Sequence, residues 1–211
     1  GTQFNYSNKG YYFLGQIIEK VSGKSLDDNL LELFKTVGMA KSSTANIFQG
    51  NHFAAAYTGT STKFNLIENM PKRLANKDIS VPAGGILSTI NDLNLWNQAL
   101  YNGRILNAES LAKFSQKSAD RNHQILGKMD YGFGIMMNVE KPQAYFHTGY
   151  VKGSPSLNIY YPETKTSVII LSNIANEALG KSAVFQPHKR IKKITDEVQN
   201  TVIKLRKEMS K

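Results

Sequence analysis

The sequence predicts an α+β fold: an antiparallel sheet covered by a C-terminal helix, alongside a helical region with loops. Three observations carry this. Apolar residues recur at helical spacing through the first forty positions. After about residue 130 the chain turns to short β-rich runs joined by Gly-, Pro- and Asn-bearing connectors, too short for parallel crossovers. Helical spacing then returns near 189–209, so the chain comes back to complete a layer.

The first helix is predicted over 9–22, where Leu14, Ile17, Ile18 and Val21 share one face and Gly23 supplies a left-handed cap. A second begins at Ser25, with Asp28 completing a capping pattern. Leu26, Leu30, Leu33, Phe34 and Val37 form its stripe, and Gly38 ends it. The stretch from Lys41 to Asp78 is rich in Thr, Asn, Ser and Lys and reads as loops with short strands. Val81-Pro-Ala-Gly-Gly85 signals a turn. Thr89 and Asp92 then cap a helix that carries Leu93, Trp96 and Leu100 inward, and Asn107 caps a short one with Leu111 and Phe114. Tyr131–Asn138, Ala144–His147, Ser156–Tyr161 and Ser167–Ser172 read as successive strands. In the last helix Ile191, Ile194, Val198, Val202 and Leu205 form a stripe suited to docking on that sheet. The whole reads as one domain over 1–211, mostly helical with loops over 1–128, and strands plus the C-terminal helix over 129–211.

Composition narrows the function classes. With 41% hydrophobic and 20% charged residues the chain has the make-up of a globular protein, and no apolar run reaches the ~18 residues of a membrane span. There is no cysteine, which excludes disulfides and thiolate chemistry. His52, His123, His147 and His188 lack ligand spacing, so we expect neither metal nor cofactor. The net charge of +10 raises nucleic acid or anionic lipid as partners. Half of it lies in 188–211, where eight Lys/Arg face three Asp/Glu, and a solvated helix face accounts for that. We expect no nucleic-acid partner and no membrane contact.

Two short segments could carry chemistry: Tyr6-Ser-Asn8 ahead of a helix, and His147-Thr-Gly149 at a strand end. Alone, the first reads more readily as a helix cap and the second as a turn. Their setting is more specific. Gly1-Thr-Gln-Phe-Asn-Tyr-Ser-Asn-Lys-Gly-Tyr11, Leu14-Gly-Gln-Ile-Ile-Glu19 and Val37-Gly-Met39 resemble the second-motif region of serine β-lactamase and penicillin-binding-protein-like hydrolases. Ala83-Gly-Gly-Ile-Leu-Ser-Thr89, Tyr131-Gly-Phe-Gly134, His147-Thr-Gly149 and Ser172-Asn173 follow in that family's order. The resemblance covers almost the whole chain and points to the class C β-lactamase, D,D-peptidase and esterase branch.

The resemblance implies a β-lactamase/transpeptidase-like fold and acyl transfer through an acyl-enzyme, with a β-lactam, a D-amino peptide or an ester as the small-molecule or peptide substrate. Tyr6 would relay a proton between nucleophile and leaving group. A phenol is protonated at neutral pH, so this role needs positive charge or a shared proton nearby. Asn8 would hold a substrate amide and a neighbouring Lys. His147 stands where many relatives carry Lys; it would orient Tyr6 or bind a substrate carboxylate, partly charged at pH 7 if its pKa were near 6.5. Thr148 and Gly149 would line the strand along which substrate lies, and the Tyr150 backbone N–H would serve as an oxyanion donor.

The family's nucleophile belongs to a Ser-x-x-Lys upstream of the Tyr-x-Asn segment. Only five residues precede Tyr6, and Ser110-Leu-Ala-Lys113 lies far downstream on an ordinary short helix. We therefore expect the nucleophile on an absent N-terminal segment, with the fold incomplete without that segment or another chain, and residues 1–211 alone inactive. The family implies a periplasmic or secreted protein. The alternative is a non-catalytic module that binds peptidoglycan fragments or small ligands in the same cleft.

Overall fold

The computed structural model describes residues 2–50, 53–60, 62–68, 80–178 and 180–210. Helices α1 (Asn8–Ser22) and α2 (Leu26–Val37) open the chain, and their ends follow the sequence closely. Ser7 caps α1 by accepting the Gly10 N–H, and Ser25 caps α2 by accepting that of Asp28. Gly23 and Gly38 both adopt left-handed C-terminal caps. Phe34 and Val37 are buried with Met39 and Ala99 in a helical-region core that Leu30 and Trp96 flank.

Between 40 and 90 the expected short strands occur. Strands β1 (Ser43–Thr44) and β4 (Ile86–Leu87) pair with each other, whereas β2 (Ala56–Thr60) and β3 (Lys63–Ile67) form a hairpin. The part of the expected loop at 69–79 lies outside the described residues, as does His52. The Val81–Gly85 turn is one helical turn, α3 (Ser80–Ala83), leading into β4. Gly15 of α1 is buried against it: a Cβ there would stand 2.9 Å from the Pro82 ring. Helices α4 (Ile90–Tyr101) and α5 (Ala108–Phe114) start on the Thr89 and Asn107 caps.

The main sheet is an antiparallel meander of six strands: β5 (Ala119–His123), β6 (Gly127–Tyr131), β7 (Met136–Met137), β8 (Tyr145–Val151), β9 (Ser154–Tyr161) and β10 (Thr166–Leu171). β11 (Ile174–Asn176) leaves it to run parallel to β2. The expected strand 131–138 is instead the end of β6, a tight turn and the two-residue β7. Gly134 takes φ +81° there, and the Gly132 N–H donates to the Ile135 carbonyl. Phe146, Leu157, Ile159 and Tyr161 build the sheet core with Met136. On the opposite face α4 packs through Asn97, which exchanges hydrogen bonds with Asn158, and through Tyr101, stacked on Tyr145 and Tyr160.

After α6 (Gly180–Val184), the last helix, α7 (Gln186–Met209), lies on the sheet, but not by its apolar stripe. Ile191, Ile194, Val198 and Leu205 are exposed, and His188, Lys192 and Gln199 are buried. Lys192 donates to Asn138 and Asp196 and lies 4.5 Å over the Phe146 ring, while Tyr161 donates to Asp196. A polar face thus seats the helix, hydrogen-bonded apart from the buried His188 Nδ1, and most of the stripe turns outward, with Val202 half-buried. The α1 stripe behaves alike: Leu14, Ile17, Ile18 and Val21 are all exposed. Both helices are amphipathic as read, and both apolar faces are largely without cover among the described residues.

Candidate active site

One open cleft of about 2160 Å³ runs between the start of α1, the Gly84–Thr89 segment, β5 and the end of β8. It collects every residue the sequence singled out: Tyr6, Asn8, His147, Thr148, Gly149 and Tyr150 all line it. The downstream Ser110-Leu-Ala-Lys113 does not. Ser110 lies exposed on α5, and Lys113 pairs with Glu109 at the surface.

Local chemistry explains how each group comes to face the cleft. Ser7 takes the capping duty at α1, which leaves the Asn8 carboxamide without a hydrogen-bond partner among the described residues. Tyr6, 44% exposed, precedes the cap on an extended segment, with its ring 6.1 Å from that of His147 at an interplanar angle of 28°. The two rings stack and no hydrogen bond joins them. The partner of His147 Nε2 is the Tyr131 hydroxyl, at 3.3 Å. His147 Nδ1 lies 2.6 Å from the Thr148 carbonyl, which fixes the tautomer: Nδ1–H donates, and Nε2 accepts from Tyr131.

The electrostatics shift the expectation for His147. Burial holds its pKa below the usual imidazole value, and the nearby Arg121 cation lowers it further, against the Thr148 carbonyl. The shift favours the neutral ring over the partly charged one, which suits a hydrogen-bonding role better than carboxylate binding. His123, also in the cleft, is pushed down to about 4 by burial, Arg121 and His147. Burial foremost raises the Tyr131 phenol, with Tyr11 and Tyr6 adding to it, so it remains a hydroxyl donor at neutral pH.

β8 presents its edge to the cleft because β7 covers only Tyr145 and Phe146. Tyr150 pairs with Pro155, which has no N–H and whose carbonyl accepts from Ser172 on the β10 side. That pair is not hydrogen-bonded, so the Tyr150 N–H points away from β9 toward the open edge. The tip of the β8–β9 hairpin is held by packing of Val151 on Ala56 and Ile67, and by the Tyr150 hydroxyl donating to Glu177.

Sequence reasoning did not single out two members of the site. Tyr131 belongs to the Tyr-Gly-Phe-Gly134 motif, which assigns it no role, and no motif contains Arg121. The Arg121 guanidinium lies 4.4 Å from the Tyr6 ring centroid, 5.3 Å from that of Tyr131 and 5.7 Å from that of Phe4. The only signal available was alternation within 119–123, which turns Ala119, Arg121 and His123 to one side. No group of metal-ligating side chains occurs among the described residues.

A helical region and an antiparallel sheet enclosing a cleft, with Tyr-x-Asn at a helix start facing His-Thr-Gly on a strand edge, define the class of β-lactamase and penicillin-binding-protein-like folds. The chain belongs to the beta-lactamase family, whose sequence profile matches residues 1–184. It is 28% identical over 200 residues to penicillin-binding protein 4* of Bacillus subtilis, a match covering 88% of this chain and 43% of that protein. Among solved structures it superposes on a penicillin binding protein from Bacillus halodurans with a TM-score of 0.72 (20% identity, 92% of this chain, 56% of that one). D-amino acid amidase from Ochrobactrum anthropi SV3, in complex with D-phenylalanine, gives 0.73 (21% identity, 93% and 59%). At these identities the two structures speak for the fold alone. The chain spans less than half the length of the curated relatives it matches.

Proposed function

We propose that the complete protein is a serine acyl hydrolase that acts through an acyl-enzyme on a β-lactam, a D-amino peptide or amide, or an ester. The observation that carries this reading is the meeting of Tyr6 and Asn8 with the His147–Tyr150 edge across a single cleft. In this reading a serine hydroxyl on a segment upstream of Gly1 attacks the substrate carbonyl. Its proton passes by way of Tyr6 to the leaving group, and water then releases the acyl group by the reverse proton path. Asn8 and the Thr148–Gly149 edge hold the substrate, and the Tyr150 N–H donates to the oxyanion. His147, neutral and anchored by Tyr131 and the Thr148 carbonyl, fixes the ring of Tyr6 from one side.

The cleft supports a missing centre, since its volume exceeds the ~300–1,000 Å³ usual for a small-molecule site. The exposed stripes of α1 and α7 support the same conclusion: an upstream segment of this protein would cover them and complete the domain, and residues 1–211 alone would be inactive. The family's habit supports a secreted or periplasmic protein. Among the described residues no helix is long and apolar enough to cross a membrane.

A version extended upstream of Gly1 should be acylated by a fluorescent penicillin, or hydrolyse a nitrophenyl ester or a D-amino acid amide. Failure with all three, despite an upstream Ser-x-x-Lys, overturns the reading. An upstream region without that motif favours a non-catalytic module that binds peptidoglycan fragments or small ligands.

A further inference from the structure

We propose that Arg121 is the positioning residue for Tyr6, holding its ring against His147 and presenting a positive charge to the phenol during proton transfer. The inference rests on the acyl-hydrolase reading for its chemistry, but its geometry stands independently. Arg121 is the middle residue of β5, paired opposite Met129, and Ala119 is opposite Tyr131. Arg121 and Tyr131 are therefore diagonal cross-strand neighbours on one face of the hairpin, within reach of long side chains. Phe4 and Tyr6 lie two residues apart in the segment before α1, and both rings come to the same cation. The three rings surround the guanidinium, and Phe4 also meets Tyr131 at 4.9 Å. Apart from stacking on His147, this aromatic clamp is what fixes Tyr6, whose ring is otherwise largely open to solvent.

The choice of arginine is costly for a purely structural clamp. Arg121 Nη1 is buried with no hydrogen-bond partner, and no carboxylate pairs with the guanidinium among the described residues. The neighbouring acids Asp120 and Asp130 are both taken by Lys117. An apolar side chain would bridge the same rings without burying an unpaired donor. What only the cation supplies is charge beside Tyr6, where negative charge develops as the proton leaves, and beside His147, which it helps keep neutral. Arg121 lines the cleft with Nη1 enclosed by protein, and its cation lies nearest the Tyr6 ring, so the role assigned to it runs through Tyr6.

The test compares Arg121→Met, which keeps an apolar stem, with Arg121→Lys, which keeps the charge, both in the complete protein. Arg121→Met should lower kcat by about tenfold to thirtyfold, the scale of one desolvated cation–π contact, with KM changed less than about threefold. Arg121→Lys should recover most of the loss. In nuclear Overhauser spectra, contacts between the Tyr6 and His147 rings should persist in the parent and the Lys variant and fade in the Met variant. The His147 titration should move to higher pH in the Met variant only. Retained Tyr6–His147 contacts with unchanged kcat in Arg121→Met overturn the proposal, as do equal losses in the two variants, which would mean packing alone. The ring contacts and the titration need no turnover, so they judge the clamp even where the parent protein hydrolyses nothing and the acyl-hydrolase reading itself fails.

Discussion

Gly149 shows how closely β8 and β9 approach beside the cleft. A Cβ at this position would stand 2.5 Å from Ser156 Oγ, its cross-strand partner, although φ there is ordinary for a strand. The glycine of His-Thr-Gly is thus a matter of space, and the obstructing atom can rotate. Gly149→Ala should cost roughly 1 kcal/mol, and Ser156→Ala should remove most of that cost in a double-mutant cycle of urea denaturation. A cost unchanged by Ser156→Ala would place the constraint in the backbone instead. Asp92 makes a different residue-scale point. It lies at the start of α4 as the sequence suggested, but its carboxylate is buried, and accepts from the Lys41 N–H at 2.8 Å and the Ser42 hydroxyl at 2.7 Å. These charge-assisted bonds pin the loop after α2 to α4, with the acid at the helix end whose dipole favours it. Asp92→Ala should therefore lose about 2–4 kcal/mol by denaturant titration, beyond the value of a simple cap.

At the scale of elements, α7 separates amphipathicity from docking direction. Its stripe at 191, 194, 198 and 205 has the right period, yet the face against the sheet is that of His188, Lys192 and Gln199. Asp196 and Asn200 reach the β7–β8 connection at Asn138 and Lys141. On a helix of 3.6 residues per turn the stripe then turns away from the sheet toward solvent. Among the described residues β10 is an edge strand, so the stripe has unmet apolar capacity and that edge unmet hydrogen-bonding capacity. If an upstream segment covers it, Ile194→Gln with Val198→Gln should destabilise the complete protein by roughly 2–3 kcal/mol of lost apolar burial. In residues 1–211 alone, the same pair should instead reduce self-association in sedimentation velocity. No change in the complete protein's stability would mean that the stripe stays in water.

For the whole molecule, the histidines give acid sensitivity a sign. Burial is the leading cause that lowers the pKa of His123, to about 4, and those of His147 and His188. Each group binds its proton more readily unfolded than folded. The stability they contribute is thus fully present above about pH 6.5 and is lost progressively as pH falls toward 4. The melting temperature should drop between pH 7 and pH 5, and His123→Gln should flatten that slope. A melting temperature that rises on acidification over this range would contradict the assigned directions.

Much of this was legible in the sequence because it is local. Ser7 aside, the caps at Ser25, Thr89 and Asn107, the glycine stops at Gly23 and Gly38 and the antiparallel order of the later strands follow from near-neighbour hydrogen bonding and backbone freedom, whereas the β5–β6 hairpin over 119–131 was not read. The motif residues Tyr6, Asn8 and His147 were legible too, since a family writes them in a fixed order. Periodicity could show that α1 and α7 each carry an apolar face but not what that face meets, because a moment has no partner. Which hydroxyl holds His147, whether its ring is charged and what clamps Tyr6 depend on Tyr131 and Arg121, distant in sequence and brought together by strand register. The sequence by itself determined most of the elements and the chemistry available to them; the tertiary structure alone decided which groups share one cleft, because burial and through-space charge are properties of the packed chain.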